Sequence, residues 1–331
     1  MALVGQVGRT LKRVIYGDTL LPGEFTLGLH QPQSEVRVTL EAFGTSLDVT
    51  RRHTIACCAP FLLGIHLDSG ATLQTRDAVL RFSESSGDAH RLGELRLAPV
   101  KHIPIYESEL VLFRVLGSRN YCLPTFRLWA HYLPAAYSNW RNLKSFDVKM
   151  SSREIRASYV AFIRPHPIAL GSIQGDSGGN IFPMNLMGEL SDSHFAFALK
   201  DSRRPAHFIE RLGRLALSNI PLSLCSTAFQ LAANHKKESI DWGQLPFPLS
   251  ESSTLRIPVP AAAGRVRELC VEQIHKLGSH TLFIARILSD ELRFDVPQAH
   301  AIHGFYQHWR LRHDREKLRL SIDQDRVNKH A

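Results

Sequence analysis

The first third of the chain is dominated by alternation. Glu35-Val36-Arg37-Val38-Thr39-Leu40 sets an apolar side chain at every second position, and Arg91-Leu92-Gly93-Glu94-Leu95-Arg96-Leu97 and Leu110-Val111-Leu112-Phe113-Arg114-Val115 do so over similar lengths. Neighbouring side chains of a strand point to opposite faces, so these segments predict half-buried antiparallel strands. Turn chemistry separates them at Asp68-Ser69-Gly70 and Ser85-Ser86-Gly87-Asp88, where Gly supplies positive φ and Asp and Ser bond their own backbone. From Leu133 to Ser152 the pattern dissolves into Pro134, Asn139, Asn142 and scattered aromatics. It resumes at Ser151-Ser152-Arg153-Glu154, where Ser151 and Glu154 have the spacing of a capping box. A helix follows with Ile155, Tyr159, Phe162 and Ile163 on one face, and Arg164-Pro165 ends it because the residue before Pro is pushed out of the α region.

A boundary near residue 145 therefore divides the chain into a β-rich unit, 1–145, with no assignable role, and a second unit, 146–331. In the second unit Ile168 to Ile173 and His194 to Leu199 read as strands on either side of a glycine-rich turn. Next comes a helix with Pro205 in its first turn, where the missing N–H costs nothing, and an apolar face of Phe208, Ile209, Leu212, Leu215 and Ala216. Ile257 to Ala263, Val266 to Gln273 and Thr281 to Leu288 read as three strands joined at Gly264-Arg265 and Leu277-Gly278. The fold class expected is mainly β with a few helices, the second unit closing as a barrel or split barrel.

Composition narrows the function classes. The 331 residues suit about two domains, and 44% hydrophobic with 21% charged is ordinary for a globular chain. The longest apolar runs fall well short of the roughly 20 residues that cross a membrane, and Arg9, Lys12 and Arg13 interrupt Met1 to Leu21 where a secretory signal would be apolar. No membrane partner is expected. Cys57, Cys58, Cys122, Cys225 and Cys270 form no Cys-x-x-Cys pair, which suits a reducing cytoplasm, and Cys57-Cys58 beside Ile55, Ala56 and Phe61 read as core. The net charge of +9 is spread along the chain; its one dense cluster, Arg310 to Lys317, interleaves Asp314 and Glu316 and reads as a solvated helix face. No RNA-binding fingerprint, zinc-ligand spacing or helix-turn-helix signature accompanies it, so neither nucleic acid nor metal is expected.

Two segments carry candidate chemistry. Gly175-Asp176-Ser177-Gly178-Gly179-Asn180 invites a serine-protease reading, which needs a histidine and a buried aspartate upstream. His53 with Asp77 or Asp88 satisfies that order only trivially in a chain with 17 histidines, and the small-residue pair such proteases carry before the histidine is missing. A serine hydrolase using Ser177 stays a minor reading. Lys200-Asp201-Ser202-Arg203-Arg204-Pro205 places cations and a hydroxyl just before a helix, and the unpaired N–H groups and dipole of a helix N-terminus favour an anion there. The bland alternative is that Ser202 caps the helix and the arginines are solvated.

From Ser158-Tyr159 through Trp309 the chain resembles the flavin reductase-like family, the FMN-binding split barrels. Arg164-Pro165-His166-Pro167 resembles the Arg-Pro before the family's first barrel strand, Gly178-Gly179-Asn180 the Gly-x-Asn turn after it, and His303-Gly304-Phe305-Tyr306 its terminal Gly-x-Tyr. Gly278-Ser279-His280-Thr281-Leu282-Phe283-Ile284-Ala285-Arg286-Ile287 is similar to a late barrel strand of the family and is the sharpest match. Pro183-Met184-Asn185-Leu186 falls at the family's flavin-contacting run but departs from its hydroxyl-rich pattern. The resemblance implies an FMN-binding oxidoreductase of the NAD(P)H-dependent flavin reductase type, working as a homodimer with flavin and nicotinamide nucleotides as ligands. It implies flavin contacts at Asn180, Pro183, Met184, Asn185, Leu186, Lys200, Ser202 and Arg203, and His280 beside the exposed ring face where nicotinamide approaches. A flavin-binding or protein-interaction module without turnover is the alternative. No Gly-x-Gly-x-x-Gly run is present, so nicotinamide would bind over the flavin and not on a Rossmann domain.

Overall fold

The computed structural model describes residues 24–30, 35–42, 45–68, 78–85, 89–141, 148–176, 178–313 and 322–323. Met1 to Leu21, the turn residues Ser69-Gly70 and Ser86 to Asp88, Asp77, Ser177 and the charged positions 314–317 lie outside the described residues.

Alternation does produce strands. In chain order these are β1 (Glu24–Leu29), β2 (Val36–Ala42), β3 (Thr45–Asp48), β4 (His53–Cys58), β5 (Phe61–Asp68), β6 (Ala78–Glu84), β7 (Arg91–Ile105) and β8 (Ser108–Asn120). After them come helices α1 (Thr125–Arg141) and α2 (Ser152–Ala161), then β9 (His166–Pro167), β10 (Ala169–Gly175), β11 (Gly178–Met184), β12 (Met187–Glu189) and β13 (His194–Lys200). The chain continues through α3 (Arg204–Leu212), β14 (Arg214–Asn219), α4 (Cys225–Gln230), β15 (Leu249–Glu251), β16 (Pro258–Pro260), β17 (Arg265–Lys276), β18 (His280–Leu292), β19 (Gln298–His303), α5 (Gly304–Arg312) and β20 (Ile322–Asp323).

Two seven-stranded antiparallel sheets dominate, ordered β3-β2-β6-β7-β8-β5-β4 and β11-β10-β14-β17-β18-β13-β12. Counted along its own stretch of chain, each sheet runs second, first, fifth, sixth, seventh, fourth, third. The long hairpin of each carries two bulges. In β7–β8 the pairing skips Val100 and Leu116; in β17–β18 it skips Glu272 and Leu288, each the same number of residues after its counterpart. Shared order and shared bulges make the two halves copies of one architecture, a likeness that the sequence reading did not find in residues 1–145.

The halves pack through equivalent faces. Leu110 and Leu112 of β8 meet their counterparts Leu282 and Ile284 of β18 in a core that also holds Ala56, Cys57, Leu62, Ile103, Leu190 and Ala196. The opposite faces of the same strands point into separate cores, Val111, Phe113 and Val115 into the first and Phe283 and Ala285 into the second. Leu110 to Phe113 is accordingly buried on both faces and not half-buried, because a strand covered on both sides reads as a near-continuous apolar run; alternation returns only at exposed Arg114 and buried Val115.

Both ends of the chain cross the boundary placed at 145. β1 pairs with β19 over its whole length. α2, with its capping box formed as expected, buries Ala157 and Val160 in the core of the first half, and α5 adds Phe305, Tyr306 and Trp309 to it. Arg310 is buried and ion-paired with Glu35, so the start of the basic cluster is docked and not a solvated face. α1 was not expected. Pro134 lies inside it, and Phe126, Trp129, Leu133, Tyr137 and Trp140 remain exposed, so no inward apolar stripe marked it. Of the strand expected over Ile257 to Ala263 only Pro258–Pro260 forms, in a separate two-stranded ribbon with β15, since proline cannot donate to a ladder.

Candidate functional site

The end of β13 builds the clearest ligand-accepting geometry. Lys200, its last residue, is in register with His280, the first of β18. The turn after it is fastened twice: Asp201 N–H donates to Ser279 O (3.2 Å) and Arg203 N–H to Lys200 O (2.9 Å). Thr281 Oγ1 also donates to the Asp201 carboxylate. α3 then starts with Arg203 as its N-cap, extended at φ −93° and ψ 132°, and no side chain caps it. Ser202 is exposed, one residue before the cap, so it does not play the capping role considered for it. An uncapped helix start beside Lys200, Ser202 and Arg203 is chemically suited to an oxyanion.

β11 brings the other expected contacts to this side. Met184 is buried in the second core, in register with Ala169, and Pro183 pairs with Leu170. His235 donates from Nε2 to the Pro183 carbonyl at 3.0 Å. Burial, and then the charge of Arg203, push the His235 imidazole down to about 4, so it is neutral and tied between the two expected contact regions. Leu186 accepts from Ala198 N–H at 2.8 Å, and its side chain packs against both the first core and the core between the halves. Asn185 is partly exposed and its side chain makes no hydrogen bond to the described residues.

Two expected contacts are committed elsewhere. Asn180 is fully buried and donates from Nδ2 to Asn234 O (3.0 Å) and Lys237 O (2.8 Å), fastening the segment after α4 to β11. His280 is 5% exposed, so it does not stand on an open ring face. The physical reason is the first half of the chain. Ser279 Oγ lies 2.8 Å from His280 Nδ1 and accepts Ala59 N–H at 2.9 Å, Ser279 N–H donates to Ala59 O at 2.9 Å, and the Cys57 thiol donates to Leu277 O at 3.2 Å. Burial above all holds His280 down to about 4, with Lys200 adding to this and Asp201 opposing it. The cover over His280 therefore comes from residues 57–60 of the same chain. Nothing in the spacing of Cys57 to Pro60 signalled that role; only the repeated architecture reveals it. At the equivalent place on the other side of the interface, His66, Asp68, Tyr106, Ser193, His194 and Arg286 line an open groove of about 1050 Å³.

The serine-protease reading finds no support around its motif. Gly175 and Gly178 pair as the last residue of β10 and the first of β11, and Gly178 sits at φ +127° with Ser239 where a Cβ would stand. His53 is locked to Val49 O at 2.7 Å and packs edge-on against Phe82. Trp242 donates to Gln174 at 3.0 Å and packs on Gly179, a structural aromatic.

No family model and no curated protein matches the chain. Solved structures do. The FMN-binding protein of Thermus thermophilus is 21% identical, over 39% of this chain and 73% of its own, with a TM-score of 0.35. The NADH:FAD oxidoreductase of Streptomyces globisporus C-1027 is 14% identical over 46% and 89%, at 0.40. The styrene monooxygenase flavin reductase of Pseudomonas putida S12 is 21% identical over 45% and 92%, at 0.37. These are flavin reductases and FMN-binding proteins, the class that the sequence resembles, and each spans less than half of this chain. No helix among the described residues is long and apolar enough to cross a membrane.

Proposed function

We propose that this chain binds FMN and serves as a flavin-dependent oxidoreductase, with the flavin phosphate held by Lys200, Ser202, Arg203 and the N-terminus of α3. The uncapped start of α3, with an exposed hydroxyl and cations around it, is the observation that carries the reading. The half-buried Leu186 offers apolar surface to a ring, and the amide of Asn185 offers both a donor and an acceptor. The bound flavin would supply the redox chemistry; these residues position it and exclude water. His280 is better placed as a support for the Ser279–Ala59 contact than as a partner of nicotinamide, and the first half of the chain takes the place of a second subunit as the wall. Ser202→Ala and Arg203→Ala should each weaken FMN more than riboflavin. For the arginine the loss should be about ten- to a hundredfold, since a charge-assisted bond contributes roughly 1.5–3 kcal/mol. Equal losses for both ligands would move the phosphate elsewhere.

The burial of His280 also favours a second reading, a flavin-binding module without turnover. Anaerobic NADH and NADPH oxidation by the FMN-loaded protein separates the two: reduction of the flavin supports the oxidoreductase, while a stable oxidised spectrum supports the module.

A further inference from the structure

At the other end of the second sheet, away from Lys200 and His280, lies a cavity of about 280 Å³ between the two halves. Arg51 reaches it from the first half, Arg164 from the segment after α2, Arg265 and Arg267 from β17, Phe195 from β13 and His300 from β19. Its charges do not balance. Arg265 and Arg267 are taken up by Glu189 and Asp290, with Arg267 Nε 3.0 Å from Asp290 and Arg265 paired to the same carboxylate. Arg164 has no such partner. It is 9% exposed, no carboxylate lies within ion-pair distance of it among the described residues, and its Nε has no hydrogen-bond acceptor.

The neighbours of Arg164 offset its charge only in part: Glu189 on the cavity wall favours the charged form through space, but that carboxylate is already paired with Arg265 and Arg267. Burial, and Arg164 itself, hold His166 at about 3, and burial holds His300 at about 4. His166 sits on Ala161 O at 3.2 Å and His300 on Gln298 O at 2.8 Å, so both contribute neutral rings. Arg164 is itself pushed down to about 10, mostly by burial, which leaves it charged near neutral pH. Asn219, on the same cavity wall, donates to Gln298 at 2.7 Å while its Oδ1 is buried without a partner. A buried, unpaired guanidinium is strongly unfavourable unless something completes it.

We propose that this cavity is a binding site for a small organic oxyanion, a carboxylate or a phosphate ester, held on Arg164 with Arg51 at the entrance. The planar guanidinium fork matches both groups. At about 280 Å³ the cavity lies at the small end of ligand pockets, roughly 300–1,000 Å³, which suits a compact molecule and not a dinucleotide. Phe195 and Met187 give its body an apolar wall, and Asn219 Oδ1 an acceptor for a donor on the ligand. The site is independent of the flavin reading.

Isothermal titration of the full chain with benzoate, phenyl phosphate and inorganic phosphate tests it. Saturable binding of at least one probe by the wild type is expected, weakened about ten- to a hundredfold in Arg164→Met and less in Arg51→Ala, an exposed position whose change should leave folding intact. Preference for benzoate or for the phosphates identifies the carboxylate or phosphate source, and either supports the site. Arg203→Ala, at the opposite end of the sheet, should leave benzoate binding unchanged, and any phosphate held at the start of α3 should show as a second site lost only in that variant. Absence of binding by all three probes, equal affinity in wild type and both cavity variants, or a loss of benzoate binding confined to Arg203→Ala would overturn the proposal.

Discussion

Gly278→Ala tests how the two halves hold each other. Gly278 has φ +112°, and a Cβ there would stand 2.6 Å from Ala59 O and 2.8 Å from Pro60 Cδ. The strained backbone alone should cost about 1–3 kcal/mol. Relieving the clash must also part the turn from Ala59, which breaks two hydrogen bonds at 2.9 Å that contribute roughly 1 kcal/mol each. The expected loss is therefore about 3–5 kcal/mol. Gly213→Ala is the control: its φ is +66° and nothing lies within 4 Å of its Cβ position, so only the left-handed cost of about 1–2 kcal/mol applies. Any gain from stiffening the unfolded chain is common to both. Urea unfolding of the two variants measures the difference, and mass-mapped alkylation of buried Cys57, whose thiol bonds Leu277 O, reports whether the clasp has opened. If Gly278→Ala is no more destabilising than Gly213→Ala and Cys57 labels no faster, the clasp does not hold the halves together.

Leu112→Ala and Ile284→Ala, in the core between the halves, should each cost about 2–5 kcal/mol in chemical denaturation; a loss below about 1 kcal/mol would take the residue out of that core. Asn180→Ala should cost about 1–3 kcal/mol and speed hydrogen exchange in residues 231–237, because it removes two bonds that fasten this segment to β11 and takes the Asn180 donor from Lys237 O, while Asn234 O keeps the Lys237 N–H; unchanged exchange there would contradict the fastening role. Glu268 is buried, and although burial opposes its ionisation, hydrogen bonds from Ser252, Leu255, Thr254 and Ser253 outweigh this and hold its carboxyl below the usual range. Its contribution is present above the unfolded value and fades as pH falls through the folded one, so Glu268→Gln should lose stability relative to wild type at pH 7 and converge with it in acid. A constant difference across the pH range would contradict this account.

Strands were legible wherever one face meets solvent: Val36, Val38 and Leu40 are buried between positions that are not, and the sequence alternates accordingly. The capping box of α2 was legible because both of its bonds are local, Ser151 N–H to Glu154 and Glu154 N–H to Ser151 Oγ. What escaped depends on contacts distant in sequence. α1 turns Trp129 and Trp140 outward, so its apolar positions do not mark a buried face. The repeated architecture lies in pairing order and bulge position, which Val100 and Glu272 share without sharing chemistry. Of the site, the turn at Lys200 to Arg203 was readable from its cations and Pro205, whereas the covering of His280 by Ala59 joins positions more than two hundred residues apart.

Because both copies of the sheet lie on one chain, their encounter is intramolecular, at a local concentration set by the connecting segment and not by the amount of protein. Dilution cannot separate them. Their two ends are also released from having to match, since a substitution at Ala59 alters one end of the interface alone, whereas identical subunits would change at both. That divergence is already written into the chain: one end is closed by Ser279 against Ala59, while at the other Tyr106 faces His194 at 5.2 Å across an open groove and Asp68 is held by Arg52. One end has become a fastener, leaving the other free to acquire a different occupation.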